Sequence, residues 1–503
     1  MLLSKRCRIN LDLAVTALLL SPCLVAQSRS VVPRAWDSQA LSDWATPLAH
    51  DGLREGFFSE KEYYGSPVDN YRTYPAYDPD REPPGYWEAL KRKKPEPIID
   101  TGHIGPSFNW VSAGKILWDG LDVPALRLYD AESIALARSR EYVRANRNRI
   151  VVRRDGTFAI YRWVITPKGI ALGATACSSC HTRDLDDGTT LNGPGLARRT
   201  ADPLLDRMNA QVNRLLYPRD SAQMALYRQF GVPWIRADIH KSLKTMSDDE
   251  IALLYAAQPP GAIDRVNGSP FYITKVPDLI GIRDRKYIDH TATHKHRGAG
   301  DLMRYAALVE CCDSLEYGNH HLLTGAQRKM FFHWPDELLY ALAQYVYSLE
   351  PPPNPNLKTG QAARGEAVFS NSGCPPCHTP PLYTNNKLTL ASGFRPPEDH
   401  PLRADILNIS VETDSNLALK TRKGTGFYKV PSLKGVWYRG LYGHDGAVSS
   451  LEDWFDPARL RDDYVPTGFK GYRVKTRAIK GHEFGLKLLA DDKAALIAFL
   501  KTL

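Results

Sequence analysis

The chain has 503 residues, 43% of them apolar and 24% charged, with a formal net charge of +9. That length allows two to four domains with substantial cores, and the composition is that of a globular protein despite 25 tyrosines and 36 prolines. Beyond the first 26 residues no apolar run approaches the roughly 18 residues of a membrane span, and no nucleic-acid-binding motif accompanies the basic charge.

Residues 1–26 read as a secretory signal: Lys5, Arg6 and Arg8 precede an apolar stretch over 13–20, and Leu24-Val25-Ala26 offers a cleavage site. Asp12 interrupts the pattern, and Pro22 before Cys23 argues against a lipoprotein anchor. The mature chain is therefore expected to be periplasmic or secreted. Its net charge of +7, after loss of three cations and one anion, reads as a solvated basic surface able to steer an acidic partner. Residues 27–149 are rich in tyrosine, proline and charge, which predicts an irregular extension wrapped over the core. A β-hairpin is expected next, with strands 150–154 and 157–164 around a turn at Asp155-Gly156.

The chain then reaches Cys177-Ser-Ser-Cys180-His181, and much later Cys374-Pro-Pro-Cys377-His378. Each is the attachment signature of a c-type haem, in which two thiols bond the vinyl groups and the histidine becomes the proximal iron ligand. A zinc site made from both cysteine pairs is the competing reading. Zinc ribbons space their pairs by about 15–20 residues, whereas Cys374 lies 194 positions after Cys180. Two covalently bound haem c groups are expected. Cys7 and Cys23 fall in the signal, leaving only Cys311 and Cys312, which suit either buried thiols or a vicinal disulfide.

Two segments repeat. Lys275-Val-Pro-Asp-Leu through His290 aligns with Lys429-Val-Pro-Ser-Leu433 through His444, matching at seven of sixteen positions. An amphipathic helix opened by Pro335-Asp336-Glu337 superposes on one opened by Asp491-Asp492 when Ser348-Leu349 is laid on Thr502-Leu503. Each half thus runs motif, Lys-Val-Pro segment, closing helix, with an insertion of about 43 residues in the first half. The expected fold is mainly α: two cytochrome c-like haem domains in tandem over 150–350 and 357–503, separated at Pro351-Pro-Pro-Asn-Pro-Asn356. Residues 359–369 are expected to form the first helix of the second domain.

Function turns on the sixth iron ligand, because two strong ligands make a carrier and an open position lets iron meet peroxide or dioxygen. The last methionine is Met330, so the second haem must look to His400, His444 or His482. His482, just ahead of the closing helix, is the preferred ligand. For the first haem the distal side must come from residues 290–333, which include His290, His294, His296, Met303, Tyr305, Glu310, His320, His321 and His333. The preferred reading leaves that iron open beside an acid–base set of His294, Tyr305 and Glu310. The alternative closes it with His320 or His321.

Over residues 165–503 these features resemble the bacterial dihaem cytochrome c peroxidase superfamily, which includes the MauG-type enzymes. The resemblance rests on the two Cys-x-x-Cys-His motifs, Lys429-Val-Pro-Ser-Leu433, His444-Asp-Gly446 and the Leu-rich closing helix. In layout it is nearest to the dihaem rubber oxygenases, implying an open first haem for dioxygen and a bis-histidine second haem. The resemblance also implies a peroxide-cleaving acid at Glu310, and a structural calcium between the domains. Two departures lower the expectation of a simple peroxidase: no histidine follows the first motif closely, and Ala458 or its neighbours stand where the family has methionine. Partners expected are a redox protein or a small-molecule or polymer substrate such as polyisoprene.

Overall fold

Glycine decides where two pairs of helices cross. Helix α1 (Trp110–Gly120), capped by the Asn109 side chain on the Ser112 N–H, lies across α2 (Asp336–Tyr347). A Cβ on Gly114 would stand 2.0 Å from the Ala341 carbonyl oxygen and 2.5 Å from Tyr345 Cβ, so only glycine permits this approach. Helix α3 (Gly360–Asn371), capped by Thr359, meets α4 (Ala490–Lys501) in the same way. A Cβ on Gly365 would stand 1.9 Å from Ala495 O and 2.8 Å from Phe499 Cβ. Ala341 and Tyr345 precede Ala495 and Phe499 by 154 positions, the same offset that relates Lys275 to Lys429.

The computed structural model describes residues 32–185, 189–195, 202–264, 268–311, 316–323 and 328–503; the expected signal segment and Cys312 lie outside them. Residues 32–503 form one compact unit. The fold is mixed, with 35% helix and 14% strand, and this corrects the expectation of a mainly α chain. Strands β1 (Thr73–Tyr77), β2 (Thr157–Thr166) and β3 (Gly169–Ala174) make an antiparallel sheet in the order β1-β2-β3. In a second sheet, β4 (Leu388–Leu390) pairs parallel with β5 (Ile406–Ser410) and antiparallel with β6 (Phe427–Lys429). The remaining strands form short ribbons.

The hairpin is displaced from its expected place. Its turn falls at residues 167–168, between β2 and β3, while Val152 makes only an isolated bridge to Phe158. The expected turn does form locally, with Asp155 accepting from the Thr157 N–H and hydroxyl. The reason for the shift is competition for one edge of β2. Strand β1, from the N-terminal extension, already pairs there through Thr73–Val164 and Tyr74–Trp163, so residues 150–154 pair only briefly, through Arg153 N to Thr157 O (2.8 Å) and Ala159 N to Val151 O (2.9 Å).

The extension is irregular in its connections, yet it builds the core. Trp36, Trp44, Tyr63, Leu117 and Trp118 are buried against Met303, Ala307, Leu338, Leu339 and Leu342. Arg127, itself 3% exposed, ties the extension together by pairing with Asp69 (2.7 Å) and Asp122 (2.7 Å). The expected boundary at 149/150 therefore falls inside a shared core. Among the described residues no helix is long and apolar enough to cross a membrane.

Candidate haem-attachment sites

The second motif follows the end of α3. Gly373, at φ 75°, reverses the chain, and the N–H groups of Cys377 (3.3 Å) and His378 (2.9 Å) both donate to Cys374 O. One tight turn thereby gathers two thiols and an imidazole. His378 Nδ1 lies 3.2 Å from the Tyr383 carbonyl, an arrangement that makes Nδ1 the donor and leaves Nε2 as the free lone pair.

Across from it stands His482. The two ring centroids are 6.2 Å apart with planes at 60°. Two metal–imidazole bonds of about 2 Å, plus about 1 Å from each nitrogen to its ring centre, require about 6 Å. His482 Nδ1 is buried without a hydrogen-bond partner among the described residues. Burial lowers the His378 pKa, and burial together with the neighbouring His378 pushes His482 down to about 4. Both rings are thus neutral near pH 7, the form that binds a metal. These residues fit a six-coordinate iron.

The other two histidines of this half are engaged elsewhere. His400 Nδ1 accepts from the Leu402 N–H at 3.2 Å, and its ring lies on Phe427. His444 stacks on Tyr428 at 4.3 Å, with Nε2 3.2 Å from the Tyr428 hydroxyl.

Sequence reasoning missed how His482 is held. It sits at φ 47° after Gly481 at φ 79°, and its N–H donates to Val411 O at 2.6 Å. A Cβ on Gly481 would meet the Glu412 carbonyl carbon at 2.3 Å. On the loop's other side is Arg459, which is fully buried.

The first motif makes the same turn. Cys180 N (3.3 Å) and His181 N (3.0 Å) donate to Cys177 O, and Ala176 N, just before, donates to Leu121 O at the end of α1. Downstream, the Leu279 N–H donates to Gly193 O at 3.1 Å, as Leu433, 154 positions later, donates to Tyr383 O at 3.2 Å. The segments behind the two motifs are therefore packed alike.

Of the expected distal set, the structure brings His294 and Tyr305 together, with ring centroids 5.6 Å apart. His294 is 3% exposed, its Nε2 lies 2.9 Å from Glu55 Oε2, and its ring is 4.2 Å from Trp44. Tyr305 donates to Asp289 Oδ2 at 3.1 Å, and Asp289 pairs with buried Lys423, which holds its carboxyl well below the usual range despite burial. Glu310 ends the helix Ala299–Glu310, partly buried and more than one turn beyond Tyr305. Glu55 was not foreseen, because nothing local marks a residue of the extension as a partner for His294.

The other histidines of 290–333 are spoken for. His296 uses both nitrogens, on Arg285 O and the Tyr347 hydroxyl, each at 2.7 Å. His290 Nε2 donates to Lys275 O at 2.9 Å, and burial with Lys429 nearby pushes its pKa to about 3. His333 Nδ1 is 2.9 Å from Ser66 Oγ. His320 and His321 lie on a surface ribbon paired with Glu316–Tyr317, His321 being exposed. Among the described residues no group of three or more His, Cys, Asp or Glu could hold a metal ion. Between the repeats, Arg439 of the second pairs with Asp278 of the first at 3.0 Å.

Neither a protein-family model nor a curated protein matches the chain. Among solved structures, hydrazine synthase of Kuenenia stuttgartiensis, in a crystal pressurised with xenon, matches at 16% identity and TM-score 0.29, over 55% of this chain and 85% of that one. A MauG-like protein associated with microbial copper homeostasis matches at 19% identity and TM-score 0.22, over 33% of this chain and 56% of that one. At these TM-scores neither likeness carries an assignment, which rests on the residues themselves.

Proposed function

We propose that the chain is an exported dihaem c-type cytochrome acting as an oxidoreductase. The His181 haem would activate peroxide or dioxygen, and the haem held between His378 and His482 would relay electrons. The observation that carries this reading is the 6.2 Å separation of two neutral imidazoles, the buried His378 of a Cys-x-x-Cys-His turn and the half-buried His482 that faces it. A haem bound at these motifs supplies one-electron chemistry and, where one axial position is open, a place for peroxide or dioxygen.

The residues divide the labour. His378 and His482 offer a nitrogen on each face, which suits relay and excludes substrate. In the first half, the engagement of His290, His296 and His333 by protein partners favours an open site over a closed one. His294, backed by Glu55 and beside Tyr305, supplies a buried proton-transfer pair, with Glu310 as a further acid. A redox partner protein would deliver electrons; a small molecule or polymer would be the substrate.

Three measurements test this. Intact mass of protein matured with haem-attachment machinery should show two added haems. Carbon monoxide added to the reduced protein should change the spectrum of one haem only. No change at either haem would leave an electron carrier with both irons closed. His482→Ala should convert one low-spin signal in the electron paramagnetic resonance spectrum to high-spin, and an unaltered spectrum would remove His482 as a ligand.

A further inference from the structure

The loop that carries His482 has an unusual support. Arg459 is 0% exposed, and no carboxylate among the described residues lies within ion-pair distance of it. Its guanidinium is satisfied by carbonyls alone: Nε donates to Trp454 O (2.8 Å), Nη1 to Ile479 O (2.5 Å), and Nη2 to both Gly481 O and His482 O (2.9 Å each). Three of those four acceptors belong to the loop of residues 479–482. The backbone of Arg459 joins in, since its carbonyl accepts from the Ile479 N–H at 2.6 Å. The same guanidinium lies 4.9 Å over the Trp454 ring, whose centroid is 5.5 Å from that of His482.

Burying a cation is costly when the carboxylate that acts on it, here Glu483, stands beyond ion-pair distance, and replacing it by an apolar side chain is the ordinary outcome where the charge has no use. Here the planar fork reaches carbonyls in several directions, which the compact ammonium of lysine cannot match. The loop needs that grip. His482 occupies a left-handed backbone conformation that costs a non-glycine residue of order 1 kcal/mol or more, and such a conformation persists only where its surroundings over-determine it. On one side the loop is fixed by the Val411 carbonyl and the close approach of Gly481 to Glu412; on the other, the fixing group is Arg459.

We propose that Arg459 is the positioning residue for the distal ligand of the second haem: it clamps residues 479–482 so that the His482 imidazole faces His378, and it places a fixed positive charge beside that iron. This rests on the reading of His378 and His482 as axial ligands. A clamped ligand rebinds rather than drifts away, which keeps the site closed to small molecules. The fixed charge favours the reduced iron, raising its potential above that of the same ligand pair without it.

The experiment uses the full chain with both haems attached, and compares Arg459→Met, Arg459→Lys and His482→Ala with the unaltered protein. Arg459→Met should retain two haems by intact mass and leave the first haem's signals unchanged. Its second haem should turn partly or wholly high-spin and bind carbon monoxide, the ligand-off share rising by roughly tenfold to a hundredfold as charge-assisted hydrogen bonds are lost. Any low-spin fraction left should titrate at a lower potential. Arg459→Lys keeps the charge but not the fork, so it should hold the potential while loosening the ligand. A loss of thermal stability with unaltered spin state, potential and carbon monoxide response in both variants would overturn the proposal. If Arg459→Met does not accumulate, Arg459→Lys decides by the same readouts. Failure of the underlying reading is separable: His482→Ala would then leave the spectrum unchanged whatever Arg459 does.

Discussion

Lys275 donates its backbone N–H to the carbonyl of His444 at 2.8 Å, and the bond is returned 154 residues on, where Lys429 donates to His290 at 3.0 Å. Each repeat therefore completes the other's Lys-Val-Pro segment. The exchange extends into packing: Tyr287 and Ala292 from the first repeat share one buried cluster with Leu388, Leu402, Ile406 and Phe427 from the second. The Tyr287 hydroxyl also donates to Asp405 at 2.8 Å. Residues 357–503 expressed alone would expose that cluster and leave Lys429 without its acceptor. The expectation is a poorly dispersed amide spectrum and no cooperative melt. A sharp thermal transition from the isolated segment would contradict it.

The helix crossings make a second, graded prediction. Gly365→Ala places a methyl 1.9 Å from the Ala495 carbonyl oxygen, so α3 and α4 must part. Overpacking of this kind costs about 1–3 kcal/mol, and a clash with backbone lies at the upper end. Gly360→Ala, in the first turn of the same helix, meets nothing within 4 Å and should be neutral or stabilising by up to about 1 kcal/mol. Urea midpoints of the two variants give the comparison. Equal effects would mean that the close approach at Gly365 is not what fixes the crossing.

Much of this architecture is legible in the residues. Pro335-Asp336 and Asp491-Asp492 mark the starts of α2 and α4 because proline and acidic side chains suit a first turn, and both helices form there. The common offset of 154 between Lys-Val-Pro segments and between closing helices reappears as superposable contacts. Helix α1 was hidden for a physical reason. Gly365 precedes Cys374 by 9 residues, but Gly114 precedes Cys177 by 63, since the β2–β3 hairpin is threaded between helix and motif. Glu55 and Arg459 were illegible in another way. Each acts through contacts distant in sequence, on His294 and on residues 479–482, and no local pattern distinguishes such a residue from a solvated charge.

Acid should weaken the fold well above the range of ordinary carboxylates. His240 is fully buried between Phe230 and Phe271, with Nε2 2.8 Å from Ser269 Oγ. Burial, and then Arg422, push its pKa down to about 4. In the unfolded chain a histidine titrates near 6.5. Between those values the unfolded state binds the proton and the folded state does not, so stability is complete above about pH 6.5 and falls as pH drops towards 4. The slope from this one residue is up to about 1.4 kcal/mol per pH unit. His240→Gln should flatten that slope in urea titrations between pH 7 and 4.5. An unchanged slope would place the proton uptake elsewhere.

The extension offers a test through its buried ion cluster. Arg127 satisfies Asp69 and Asp122 with four hydrogen bonds of 2.7–2.8 Å, and all three side chains are shielded from water. Arg127→Met removes the only cation of the group, and breaking a buried pair in this way costs about 3–5 kcal/mol because a charge is left uncompensated. Burial already pushes the Asp122 carboxyl pKa up with Arg127 present; without it, the carboxyl rises further. A group whose folded pKa is raised contributes stability that grows as pH falls, so the variant's deficit should shrink between pH 8 and pH 5. Adding Asp122→Asn to Arg127→Met should recover part of the loss at pH 8 and little at pH 5. If the deficit were instead the same at both pH values and indifferent to Asp122→Asn, the loss would come from packing around the Arg127 side chain, and the ion cluster would have no part in anchoring the extension.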